Sequence, residues 1–248
     1  MKKNKKHRGK KRRKIFLKFI LFILTLGLIY LFVFDTNFFN IEKIQIVGNG
    51  KMSYSEILNA STYTKGENIF KISKKLGEEN LKKLPYIKEA KVKRKLPKTL
   101  LIQVEEREEV AIVPYIGAFV YIDEEGNVLS IKEKKAQSKL PQIFGIELID
   151  VIPGENLFSD DRQAHKEFLK LSKQMDLLKL MKYINFSDND NINIELISGI
   201  KVAFGPLDNV KYKLSFLYEI LKDLDKKDIT AKQILLNKGE NPVVIIDD

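Results

Sequence analysis

The 248-residue sequence predicts an α+β protein with a single N-terminal transmembrane helix, a unit ordered β-α-α-β-β, and a second mixed α/β unit that closes on a C-terminal edge strand. Three observations predict it. A long apolar run follows a basic N-terminus. Short period-two segments then alternate with short helical ones as far as residue 113, and beyond that point hairpin-like strand pairs flank two longer helical stretches. The expected organisation is a tail over 1–14, a membrane span over 15–34, a first exterior domain over 39–113 and a second over 114–248.

The formal charge of +11 first suggests a nucleic-acid partner. Its location removes that reading. Eleven basic residues lie between Lys2 and Lys18, no acid precedes Asp35, and the remaining chain carries 33 basic against 33 acidic residues. The excess therefore belongs to a short tail, and no nucleic acid is needed to explain it. From Ile15 to Phe34 only Lys18, Thr25 and Gly27 are not strongly apolar, and at 1.5 Å per residue such a run crosses roughly the 30 Å hydrocarbon core. The positive-inside bias puts the N-terminus in the cytoplasm and everything after Phe34 outside. A cleaved signal peptide also begins with basic residues and an apolar core, but it normally ends in a small-x-small site. Here the run ends in Phe32-Val-Phe-Asp-Thr-Asn-Phe38, so an uncleaved anchor in the lipid bilayer is expected.

In the first exterior unit, Ile41–Val47 places Ile44 and Ile46 on one side of a strand that Gly48-Asn-Gly50 ends. Ser53 and Glu56 have capping-box spacing for a helix ending near Ala60. Ile69, Ile72, Leu76, Leu81 and Leu84 suggest a second helix, broken by Gly77 and stopped by Pro85. Two strands follow, a basic one from Ile87 to Lys95 and one from Thr99 to Glu106 that ends in acids, joined by Leu96-Pro-Lys98. Opposite charges across the pair favour an antiparallel hairpin.

Ile44-Gln-Ile-Val-Gly-Asn49, Gly66-Glu-Asn-Ile-Phe70 and the stretch from Leu84 to Arg107 strongly resemble a POTRA domain, and the order tail, anchor, POTRA is similar to the FtsQ/DivIB family of bacterial division proteins. Val120–Val128 and Leu140-Pro-Gln-Ile-Phe-Gly145 resemble later parts of that family. The resemblance implies a non-enzymatic divisome scaffold at the septum, joining FtsL-like and DivIC/FtsB-like membrane proteins and linking them to FtsW and its septal transpeptidase. It also implies that the last strands pair with the DivIC/FtsB-like partner, which carries onto Val243, Val244, Ile245 and Ile246, with Leu235, Leu236 and Asn237 beside them. The alternative is a membrane-anchored POTRA chaperone or assembly factor of the cell envelope, although such proteins usually carry tandem POTRA repeats.

The second unit reads independently of that resemblance. Tyr121–Leu129 forms a hairpin in which Gly126 supplies a left-handed position. Ser159, followed by Asp160 and Asp161, can cap a helix running to about Tyr183. Ile184–Phe186, Ile192–Ile197 and Ile200–Phe204 alternate like strands, with Ser198-Gly199 as a turn. Val210, Leu214, Leu217, Leu221 and Leu224 form the apolar stripe of a helix covering a sheet. Ile234–Asn237 and Val243–Ile246 are the last strands, and Pro242, lacking a donor, belongs at a strand start or an edge.

Motifs for chemistry are sparse. The chain has no cysteine and two histidines, which removes thiolate catalysis and Cys-ligated metals and leaves almost nothing for a His-based site. No nucleotide-binding or hydrolase fingerprint is present. Asp188-Asn-Asp-Asn-Ile192 opens like a calcium loop but lacks the later ligands, so it reads as a polar turn. Glu105, Glu106, Glu108 and Glu109 could supply a carboxylate pair but read more simply as charged strand ends, and His165 as a solvated helix residue. The expectation is no enzyme, no cofactor and no metal.

Overall fold

The computed structural model describes residues 3–136, 139–148, 150–158, 162–239 and 241–246. Contacts divide the chain into two units, residues 1–82 with 89–105, and residues 83–88 with 106–248.

The first unit opens with α1, Lys3–Asp35. The helix includes the basic tail as well as the apolar run, since Lys and Arg are good helix formers and no proline interrupts them. Its Arg13–Asp35 part is long and apolar enough to cross a membrane, and none of it is buried in protein. Thr36 caps a short 3-10 turn, Asn37–Phe39, and β1 follows at Lys43–Val47. The helix α2, Tyr54–Ser61, starts at Ser53 with the full reciprocal capping box to Glu56. The Ser53 bonds hold the Glu56 carboxyl below its ordinary range.

The second helix, α3, is shorter than its apolar spacing suggests. It spans only Lys74–Leu81, capped by Ser73. Ile69, fully buried, belongs to a turn that pairs with the segment after α1. In that turn Ile41 N donates to Glu67 O, Gly66 N to Ile41 O and Ile69 N to Phe39 O. Gly77 does not break the helix. It is a packing seat inside it, because a Cβ there would collide with the Tyr63 ring and hydroxyl. That hydroxyl donates to Ser73 O at 2.9 Å, and burial pushes its pKa up to about 12. The strands β2, Ile87–Lys95, and β3, Thr99–Glu106, complete a sheet ordered β1-β3-β2. Here β1 runs parallel to β3, with Ile44 opposite Leu100. Arg94 in the basic strand is not merely solvated, since its guanidinium donates to Ile69 O at 2.6 Å and to Ile72 O at 2.9 Å.

The second unit is built on one nine-stranded sheet. Its strands are β4 (Ala111–Tyr115), β5 (Ala118–Ile122), β6 (Val128–Lys132), β7 (Gln142–Phe144), β8 (Met181–Asn185), β9 (Ile192–Leu196), β10 (Lys201–Gly205), β11 (Ala231–Leu235) and β12 (Val243–Ile246), with α4 (Gln163–Gln174) and α5 (Val210–Lys227). The spatial order is β12-β11-β10-β9-β8-β7-β4-β5-β6. The boundary expected at 113/114 falls inside β4, which belongs whole to this sheet.

Three readings of this unit are corrected. The helix expected to reach Tyr183 stops at Gln174, where Asp176 takes a left-handed φ of 57° and Leu177 N donates to Ser172 O in a C-terminal cap. The apolar residues after it, Leu177, Leu178 and Met181, are buried as a 3-10 turn and the start of β8. His165 is half-buried, with its ring 4.7 Å from that of Phe186. The strand expected over Ile234–Asn237 lies earlier, at Ala231–Leu235. The expected cap at Ser159, Asp160 and Asp161 lies outside the described residues.

The helices α4 and α5 cover the sheet. Phe168 of α4 stacks edge-on to Phe204 at 5.2 Å. Val210, Leu214 and Leu217 of α5 are buried, and Leu221 and Leu224 pack partly buried against the same core. Each fully buried side chain of this kind contributes about 1.5–3 kcal/mol.

Candidate partner-binding edge

The crossover through α5 makes the C-terminal edge. β10 and β11 run parallel, so the chain must cross over between them, and α5 is the crossover. It starts at Asn209 and ends at Asp228, both in left-handed conformation. Lys213 in its first turn donates to Pro206 O at 2.8 Å and pairs with Asp208, tying the entry loop to the helix. After β11 the chain keeps contact with β10 for one more residue, Leu236 N donating to Ala203 O at 2.9 Å. Asn237–Gly239 form bends on the way to β12.

The strand β12 is antiparallel to β11, with Leu235 opposite Val243, Ile234 opposite Val244 and Gln233 opposite Ile245; a register shift follows before Ala231 meets Ile246. Among the described residues it is the last strand in the order and has one neighbour, so one row of its backbone donors and acceptors faces outward. Val244 packs against the core. Val243, Ile245 and Ile246 are 44%, 41% and 55% exposed. The edge thus offers free backbone groups beside three exposed β-branched side chains.

The expected site residues divide accordingly. Val243–Ile246 form the open strand, and Leu235 lies beside it at the end of β11. Leu236 is buried and serves the core. Asn237 is exposed in the turn, and its Cβ lies 2.8 Å from where a Cβ on Gly205 would sit, so this close approach requires glycine at φ +76°. Asn237 and Leu236 also line a cleft of about 590 Å³ with Pro242, Lys213, Tyr212 and Phe216. The rings of Tyr212 and Phe216 meet at 4.6 Å. Sequence reasoning missed this aromatic pair, although an i,i+4 spacing to one side of the apolar stripe is its signature.

The acidic cluster that begins at the end of β3 is engaged by basic and tyrosyl side chains. Arg107 donates to Asp123 at 2.5 Å and to Glu125 at 2.9 Å. Glu108 pairs with Lys173 at 3.0 Å, and Glu109 accepts from Tyr86 at 2.6 Å and from Lys132 at 3.1 Å. Burial, helped by Glu109, pushes the Tyr86 hydroxyl up to about 12. Glu108 and Glu109 are thus held by different bases, while Asp123 and Glu125 share Arg107. Among the described residues no three His, Cys, Asp or Glu side chains group as metal ligands. Asp188–Asn191 forms a turn in which Asp190 N donates to Asp188 Oδ1 at 3.0 Å.

Residues 39–107 match the family model for the FtsQ-type POTRA domain, and residues 111–247 match that for the C-terminal region of cell division protein FtsQ/DivIB. The chain belongs to the FtsQ/DivIB family. Cell division protein DivIB of Clostridium botulinum is 31% identical over 241 residues, covering 96% of this chain and 94% of that protein. DivIB of Clostridium tetani is 29% identical over 90% of this chain and 86% of its own length. FtsQ of Syntrophotalea carbinolica is 30% identical over 77% and 68%. A solved structure, the major extracytoplasmic domain of DivIB from Geobacillus stearothermophilus in its trans isomer, aligns at 20% identity and a TM-score of 0.34 over 49% of this chain and 97% of that one. As an FtsQ/DivIB family member, the chain is a cell division protein with an N-terminal apolar helix, a POTRA-type domain and a C-terminal sheet domain.

Proposed function

We propose that this chain is a non-enzymatic, single-pass scaffold of the bacterial divisome. Residues 1–14 form a cytoplasmic tail and 15–34 the span. Two extracytoplasmic domains follow, those expected over 39–113 and 114–248, with the division placed ahead of β4 so that the strand stays whole. The protein gathers at the division septum, joins FtsL-like and DivIC/FtsB-like membrane proteins, and links them to FtsW and the septal transpeptidase. The basic tail and the apolar run support the orientation.

The observation that carries the reading is the open β12 edge, which suits strand addition. Backbone hydrogen bonds would supply affinity and alternate side chains selectivity. Val243, Val244, Ile245 and Ile246 receive the DivIC/FtsB-like partner, with Leu235 and Asn237 beside it and Leu236 supporting from the core. The engagement of Glu108 by Lys173 and of Glu109 by Tyr86 and Lys132 favours contact over catalysis.

The test is Val244→Pro in the full-length chain. Proline removes a donor and is tolerated only on an edge, not in a strand paired on both sides, so co-purification of the DivIC/FtsB-like protein should be lost while the POTRA unit stays folded by proteolysis. Unchanged capture would refute edge pairing, and uniform peripheral fluorescence of a tagged chain in dividing cells would refute the septal assignment.

A further inference from the structure

The Gly66-Glu-Asn-Ile-Phe70 segment is not part of the edge, and its contacts point elsewhere. The chain leaves α1 and doubles back on it, so that the Phe38 and Phe39 rings lie 5.3 and 5.9 Å from the ring of Phe32, inside the apolar run. Phe70, from the folded domain, packs 5.1 Å from Phe39 and 6.3 Å from Phe34. The helix end is satisfied in the same place. The last four carbonyls of a helix have no intrahelical donor, and two of these are met by side chains: Thr36 donates to Phe32 O at 2.6 Å and Asn68 to Val33 O at 2.7 Å. Asn68 is buried, and its other amide atom accepts from Phe70 N at 2.9 Å. Arg94 fixes the same turn from behind through Ile69 O.

A side chain of the domain therefore bonds a carbonyl within the run that crosses the bilayer, and two rings that follow the run lie level with its last turns. Phe38 remains 47% exposed. An exposed apolar ring at that depth fits the boundary between headgroups and acyl chains, where Phe and Leu side chains of interfacial segments bury, and helix-end carbonyls on the acyl side of that boundary need protein donors because the hydrocarbon holds no water. We propose that Phe38 and the Gly66–Phe70 turn form a membrane-interface shoulder. It seats the POTRA domain in the outer boundary of the lipid layer and fixes its orientation to the anchor. The occupant is the acyl–headgroup boundary itself, met by apolar rings and not by a particular headgroup. This rests on the anchor reading above.

The absence of tryptophan makes a direct test possible. Single-tryptophan chains Phe70→Trp, Phe38→Trp and Phe22→Trp are reconstituted at full length in vesicles of phosphatidylcholine brominated either near the glycerol end or near the methyl end of the acyl chain. Phe70→Trp and Phe38→Trp should be quenched about twofold or more by the shallow bromines and less by the deep ones, as for rings within roughly 10 Å of the interface. Phe22→Trp, nearer the middle of the span, should show the reverse order. Adding Asn68→Ala to Phe70→Trp should remove most of its quenching and leave Phe22→Trp unchanged. If Phe22→Trp is quenched but neither interface probe is, the anchor stands and the shoulder is wrong. If Phe22→Trp is also unquenched, the span itself fails and the shoulder with it.

Discussion

At one end of the nine-stranded sheet, Val128 at the start of β6 is already engaged. It donates to Glu155 O and accepts from Gly154 N, both at 2.8 Å, so at this residue the loop before α4 stands where an added strand would begin to pair. The hairpin behind it is fastened by Asp123, which is nearly buried and accepts from Glu125 N, Asn127 N and Arg107. The strand closes on Lys132, whose ammonium lies 3.8 Å from the centre of the Tyr121 ring. At the other end, β12 has exposed aliphatic side chains and, within its four residues, no charge. A sheet edge is a liability that proteins normally blunt with charge or cover. This molecule blunts one edge and leaves the other bare, which is the pattern expected when only the bare edge has a partner.

The contrast can be broken most severely at the covered end. Asp123→Ala removes a carboxylate that satisfies two turn amides and one guanidinium in a buried setting, and leaving such partners unpaired costs about 3–5 kcal/mol. Urea unfolding should show that loss. Partner capture by the fraction that remains folded should be unchanged, because β12 stands at the opposite end of the strand order from β5 and β6. A joint loss of stability and capture would mean that the two ends are not independent.

A smaller effect should follow from pH. Burial alone would raise the Glu124 pKa, but its backbone bond and its pairing with Lys173 and Lys88 outweigh that and leave it below 4.5. Glu125 is lowered chiefly by its bond from Arg107. Both groups therefore have folded pKa values below their unfolded ones. Their stabilisation is complete above the unfolded value and disappears as pH falls through the folded values. Stability should decline as pH drops from about 5 to about 3, by under about 1 kcal/mol for each of these partly exposed pairs. Glu124→Gln should flatten that decline. A decline of equal size in Glu124→Gln would assign it to other carboxylates.

The same division separates what the sequence discloses from what it hides. The capping box at Ser53, the Gly126 and Gly199 turns and the α5 stripe are local signals, and a local signal survives without the fold. The open edge is legible for a related reason: Pro242 followed by a short aliphatic run describes a strand that belongs at an edge. The covered end is not. Arg107 and Asp123 are brought together only by the sheet, and Asp123 looks like any turn aspartate until its burial is known. β7, three residues long, pairs in parallel with β4 and β8, and nothing within three residues carries that information. Gly77 misled because a glycine in a helix usually weakens it, whereas here a tyrosine fills the space its missing Cβ leaves.

The smallest change in stability should accompany the sharpest test of the bare edge. Ile245 is exposed and lies opposite Gln233, so Ile245→Lys removes little buried surface and should alter stability by no more than about 0.5 kcal/mol. A lysine there nevertheless recreates the device used at Lys132, a charge on an edge strand that an incoming strand must desolvate or avoid. Capture of the DivIC/FtsB-like partner should therefore fall by about tenfold or more, the equivalent of about 1.4 kcal/mol, while the urea midpoint stays in place. The matching change at the covered end, Lys132→Ile, should leave capture unaltered, since Val128 and its loop still occupy that edge. If Ile245→Lys binds normally, exposed aliphatic residues on β12 do not read the partner. The backbone row alone would then carry recognition, and only Val244→Pro would abolish it.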